Sequence, residues 1–224
     1  MVHFDFESSD DAITPNAGRL GGHGRIVGDE SYMTREGQAG ESSRALEFPS
    51  DPLDSQNISY VETDYTLEAL GLATEDREFT FALWLRSEEA HAGTYLSAAR
   101  TGGLEQAISL GVNRTNSNGL SPLELSLRGE SWRKSSIKII TMPERLWIHL
   151  AWVFGRDGRI LYVNGEQRSS EGVVRLGLLE KRPKLWLGAQ QGELTPTLPF
   201  RGAMDDVRIY RRALTADAVK LLAR

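Results

Sequence analysis

The chain has 224 residues, 40% of them hydrophobic and 25% charged, with a formal net charge of -5 and no cysteine. That balance describes an ordinary soluble globular chain able to bury a full core, and the missing cysteines exclude disulfides, thiolate metal sites and a cysteine nucleophile. No apolar run approaches the ~18 residues of a membrane helix, and the opening MVHFDFESSDD lacks the basic-then-apolar order of an export signal.

The net charge conceals an asymmetry. Residues 1–130 hold nine basic and 22 acidic side chains, whereas residues 131–224 hold 17 and nine. If the first and last strands lie side by side, the two halves complement each other internally. The basic residues are scattered singly along strands rather than interleaved with exposed aromatics, which argues against nucleic acid as a partner.

In chain order, period-two alternation predicts strands over Val2–Glu7, Arg44–Phe48, Ile58–Val61, Glu78–Arg86, Thr94–Ala99, Gln106–Val112, Leu123–Arg128, Ser136–Thr141, Trp147–Phe154, Ile160–Val163, Lys184–Gly188 and Ala203–Arg211. The Gly-rich stretch Asp10–Gly40 reads mostly as loop. FTFALWLR from Phe79 and WIHLAWVF from Trp147 are apolar on both faces and suit inner strands of stacked sheets. Asp157-Gly158 marks a tight turn between two strands. Thr215 is placed to cap a helix over Ala216–Ala223, with Asp217 in its first turn. No linker composition divides the chain, so one all-β domain over 1–224 is expected. A first strand starting at Val2, with no leader, sets the expectation of a domain from a longer protein.

Five blocks carry a resemblance: FTFALWLR; Trp147, His149 and Ala151; LYVNGE from Leu161; LWLGA from Leu185; and GAMDDVRIYRRAL from Gly202. In this order they resemble the laminin-G-like jelly-roll domains of the concanavalin A-like superfamily. The resemblance implies a two-sheet antiparallel jelly-roll sandwich with a short C-terminal helix. It also implies a recognition or adhesive module of exported or cell-surface proteins, partnered by a glycan or protein and by other domains of its parent chain, sometimes with a structural calcium ion. Asp205 matches the family's Asp in Gly-x-Ile-Asp-Glu, and adjacency of the terminal strands would bring Asp5, Asp10 or Asp11 near it. Asn16 stands where relatives often carry an Asp. The competing expectation is that Asp205 or Asp206 accepts backbone hydrogen bonds or pairs with Arg208 or Arg211.

The superfamily also includes glycoside hydrolases that set Glu-x-Asp-x-Glu on one strand face, a period that aims alternate side chains into one cleft. His3, Asp5 and Glu7 share the period but lack the first acid, and Leu123–Leu127 offers Glu124 alone. An edge strand with Phe4 and Phe6 inward accounts for the first motif, and no enzyme is expected. His149 is expected as a hydrogen-bonded core imidazole. Trp84, Trp147, Trp152 and Trp186 lie in apolar strands and are expected in the core or covering a sheet. Trp132, between charges in RGESWRKSS, is the candidate sugar-stacking platform, with Tyr95, Arg100 and Arg133 on the same rim. The sequence therefore points to a non-catalytic, carbohydrate-binding module. A structural or protein-docking domain is the alternative, and a glycoside hydrolase the third reading.

Overall fold

The computed structural model describes residues 1–8, 12–28, 35–38, 40–49, 58–74, 78–88, 93–99, 106–112, 122–128, 134–141, 143–172, 179, 181–192 and 195–224. At 35, 36, 40–42, 106, 122–128 and 134–141 it describes the backbone alone. The elements are β1 (Val2–Phe4), β2 (Ile13–Pro15), β3 (His23–Val27), β4 (Arg35–Gly37), β5 (Gly40–Phe48), β6 (Tyr60–Thr66), β7 (Phe79–Ser87), β8 (Gly93–Ala99), β9 (Gln106–Val112), β10 (Pro122–Arg128), β11 (Lys134–Thr141), β12 (Ile148–Gly155), β13 (Gly158–Val163), β14 (Glu166–Glu171), β15 (Lys184–Leu187), β16 (Gly202–Tyr210) and α1 (Ala216–Leu222). One sheet runs β14-β13-β12-β7-β16-β5-β4, with β1 also paired to β16; the other runs β11-β10-β9-β8-β15-β6-β3-β2. Every pairing between these strands is antiparallel, which makes the expected jelly-roll sandwich.

Alternation explains the two layers of packing. Phe79, Phe81, Leu83 and Leu85 of β7 join Leu150, Trp152 and Phe154 of β12 in the inter-sheet core, facing Val61, Leu96, Leu110, Leu185 and Leu187 from the other sheet. Phe79 stacks on Phe154 at 4.4 Å between centroids, and each such ring contributes about 1.5–3 kcal/mol by leaving water. The opposite parity, Ala82, Ala151 and Val153, packs under Leu214 and Val219 on the outer face. A helix covering that face is why these strands are apolar on both sides.

Helix α1 is too short to persist on propensity and depends on this packing. Thr215 is extended, at φ -71 and ψ 159, and its hydroxyl accepts from the Ala218 N–H at 3.3 Å. In the β12–β13 hairpin, Gly155 lies opposite Gly158, and Gly158 takes φ 136, a conformation side chains resist. β1 pairs with β16 as expected, through Val2↔Ile209, His3↔Arg208 and Phe4↔Val207. It ends early, because Phe6 sits at φ 59.

Two expectations need correction. The Gly-rich stretch Asp10–Gly40 contains β2, β3 and β4, strands of three to five residues too short to show a clear alternation. β14 was unforeseen because EQRSSE is polar throughout, as suits a charged, guarded edge strand.

Candidate functional site

The pairing of β16 with β7 is irregular between Asp205 and Arg208, and Asp206 there takes φ 52. The Asp205 side chain turns inward, 6% exposed, and its Oδ2 accepts the Gln38 backbone N–H at 2.9 Å. Burial pushes its carboxyl up to about 6, the negative charges of Asp206 and Glu7 add to this, and the backbone N–H groups of Gln38 and Asp206 hold it back. Asp206 instead pairs with His3 and Arg208.

Calcium wants roughly 6–8 oxygen ligands, carboxylates and carbonyls among them. Asn16 Oδ1 accepts the backbone N–H groups of His3 at 2.7 Å and Gly18 at 2.8 Å. Asp5 Oδ1 accepts the Glu7 N–H at 3.3 Å. Among the described residues, no three His, Asp or Glu side chains converge on a metal position. Asp10 and Asp11 lie outside the described residues.

The expected rim fares differently. Tyr95 is corrected: it is 1% exposed and meets Phe200 edge-on at 5.0 Å, because β8 is covered on both faces. Burial raises its phenol. Arg100, Trp132 and Arg133 lie outside the described residues. Glu124 is described by backbone alone, and Glu7 Oε1 accepts the Arg44 N–H at 3.0 Å. His149 is 1% exposed, as expected, and lies edge-on to Trp84 at 5.3 Å. Its Nδ1 finds no hydrogen-bond partner among the described residues, and burial lowers its pKa to about 4.

Trp84 and Trp152 are buried as expected, while Trp147 and Trp186 are half-exposed. In β15, Leu185 and Leu187 fill the core, so Lys184 and Trp186 face out. Trp186 stands opposite Glu62 of β6, and Glu62 opposite Arg25 of β3. The Trp186 ring stacks on half-exposed Tyr60 at 4.2 Å and 20°. Arg25 Nη2 donates to Glu62 Oε2 at 2.7 Å and Lys184 Nζ to Oε1 at 3.2 Å. These cations hold Glu62 below the usual carboxylate range against the effect of burial, Arg25 foremost. The arrangement offers an apolar ring surface beside a carboxylate and two cations with N–H groups still facing water, suited to a ligand with C–H faces and hydroxyl edges. Sequence reasoning assigned Trp186 to packing. The signal that finds it is its shared parity with Lys184, and the alternation Tyr60, Glu62, Asp64 across the pair.

No curated protein matches the chain in sequence. Among solved structures, the binding domain of botulinum neurotoxin DC in complex with rat synaptotagmin II is 11% identical with a TM-score of 0.73, covering 100% of this chain and 50% of that one. The chain thus spans about half the length of that neighbour. Domain 4 of AbnA, a GH43 extracellular arabinanase from Geobacillus stearothermophilus, in complex with arabinotriose, is 21% identical with a TM-score of 0.66, covering 100% and 97%. A heptameric SAP-like pentraxin from Limulus polyphemus is 17% identical with a TM-score of 0.62, covering 80% of each chain. These likenesses show the fold. A laminin-G family model, described as concanavalin A-like lectin/glucanases superfamily, matches residues 55–220. The chain belongs to this laminin-G family of the concanavalin A-like superfamily.

Proposed function

We propose that residues 1–224 act as one recognition module that binds carbohydrate without transforming it, within a larger exported or cell-surface protein. The observation that carries this is the Tyr60–Trp186 stack, half-exposed on an outer sheet face beside the Arg25–Glu62–Lys184 cluster. Pyranose and furanose rings pack C–H faces on aromatic carbon, while their hydroxyls exchange hydrogen bonds with carboxylate and guanidinium. The arabinotriose complex of a similar domain supports the ligand class.

A structural calcium ion at Asp205 is part of the same proposal. It is supported by a buried carboxylate beside the negative charges of Asp206 and Glu7, and it needs ligands beyond the described ones. The test is a thermal melt against a panel of neutral oligosaccharides, since a ligand of the native state raises the midpoint. A shift with one glycan, lost in Trp186→Ala, supports the reading. No shift with any glycan overturns it in favour of a protein-docking role.

A further inference from the structure

Strand pairing sets four outward side chains in one line. Trp186 of β15 stands opposite Glu62 of β6, Glu62 opposite Arg25 of β3, and Arg25 opposite Ile13 of β2. Their parity is outward throughout, because the neighbours Leu185, Leu187, Val61 and Ile26 fill the core and Thr14 is fully buried. Three strand spacings separate the ends of this row, about 14 Å. Ile13 is 40% exposed, a large apolar side chain left in water, and the Arg25 side chain is 61% exposed.

The row is closed at one end and open at the other. Beyond Trp186, its partner Ser97 of β8 is fully buried, with its hydroxyl donating to the Ala189 carbonyl at 2.8 Å. Gln191 Oε1 accepts the Ala99 N–H, and its side-chain amide donates to the Lys184 carbonyl, both at 2.9 Å. The segment after β15 thus folds back over β8 and walls the Trp186 end. At the other end β2 is the last strand of the sheet.

Along β6 the surface changes character. Past Glu62 the next outward residue is Asp64, engaged by His23 Nδ1 at 2.8 Å, a charged pair without apolar surface. Across the strands, by contrast, apolar carbon lies at both ends with hydrogen-bonding groups between. Two bases, Arg25 and Lys184, balance two acids, Glu62 and Asp64, which suits an uncharged ligand.

We propose that this row is the footprint of a linear, neutral oligosaccharide of three units laid across the strands, its first unit on the Tyr60–Trp186 rings, its second over the Glu62–Arg25 pair and its third on Ile13. This rests on the carbohydrate reading of the Tyr60–Trp186 face and adds the ligand's length and direction. A sugar unit and a strand spacing are of like length, roughly 5 Å. Arg25 gives one nitrogen to Glu62, and its other N–H groups meet the hydroxyls of the middle unit. A fourth unit runs past β2 into water and gains nothing.

The experiment is calorimetric titration of the full chain with neutral linear arabinan- and glucan-derived oligosaccharides of one to five units. Affinity should rise to three units, the third adding about fivefold, and then stay level. Ile13→Ser should lose the third-unit step while binding one and two units as the parent does, and Ile13→Val should keep it. The position is exposed on an edge strand, so the fold is not at stake. Trp186→Ala should weaken binding at every length. If Trp186→Ala weakens binding yet Ile13→Ser matches the parent at three units, or if affinity climbs on to five, the cross-strand footprint is overturned and carbohydrate recognition stands. No binding at any length, or binding that Trp186→Ala leaves intact, overturns both.

Discussion

His3 in the first strand is ion-paired through Nε2 to Asp206 in the last, and the same carboxylate oxygen accepts from Arg208 Nε at 2.7 Å. Burial alone would raise the Asp206 pKa, but His3 and Arg208 together hold it below its ordinary 3.8. A depressed carboxylate stabilises the fold above its unfolded value and loses that contribution as pH falls through the folded one. Asp206→Asn should therefore cost about 2 kcal/mol near neutrality, with the deficit beginning to shrink only below pH 3.8 and closing once pH has fallen through the lower folded value. Urea unfolding across pH measures this, and a deficit of the same size at pH 7 and at pH 1.5 contradicts it.

His149 and Asp205 pull stability in opposite directions with pH. His149 falls from 6.5 to about 4 on burial. The unfolded chain takes up that proton first, so the contribution is complete above 6.5 and drains as pH falls to 4. Asp205 rises from 3.8 to about 6. Here the folded state takes up the proton first, so the contribution is complete below 3.8 and is lost as pH rises through 6. Each effect is worth about 3 kcal/mol. In calcium-free buffer Asp205→Asn should be the more stable protein at pH 7.5 and no more stable than the parent at pH 3.5. The two effects largely cancel in the parent between pH 6.5 and 4, so His149→Phe, which keeps only that of Asp205, should gain stability as pH falls over this range relative to the parent. Profiles parallel to the parent's in both variants would refute the assignment.

Calcium reverses the first of these outcomes. If the ion sits on Asp205, saturating calcium raises the parent's melting point relative to EDTA, a stabilisation of about 2.7 kcal/mol at a hundredfold excess over Kd. Asp205→Asn should show no such shift. An identical melt of the parent in calcium and in EDTA removes the ion from the proposal.

Two glycines three residues apart should respond unequally to a methyl group. A Cβ on Gly158, at φ 136, meets the Glu171 carbonyl oxygen, whereas on Gly155 its nearest neighbour is Ala213 Cβ at 3.5 Å. Gly158→Ala should cost about 1–3 kcal/mol, and Gly155→Ala well under 1 kcal/mol. Equal losses on denaturation would contradict the hairpin geometry.

The sandwich was legible because β7 and β12 are long runs apolar on both faces, β16 alternates over its second half, and a family pattern rides on them. The charge asymmetry was legible too: Lys184–Glu62, Lys181–Glu68 and Arg156–Glu78 each join an acid of the first part to a base of the last. The candidate site was less so. Trp186 looks like core because both its neighbours are core leucines, and only strand pairing places it beside Tyr60, 126 positions away. Tyr95 reads as rim only if the loops gather at one end, whereas coverage of β8 comes from sequence-distant segments such as Phe200. Arg159 reads as a surface residue next to a turn, and its burial follows from sharing parity with Leu161, which faces the core.

The most direct test of carbohydrate recognition is calorimetric titration of the neutral glycan that most stabilises the chain into the parent and into Trp186→Ala. The account predicts saturable binding by the parent, at least tenfold weaker in the variant, with both proteins folded by near-ultraviolet circular dichroism. Equal affinity in the two proteins would contradict the Tyr60–Trp186 face as the site of recognition.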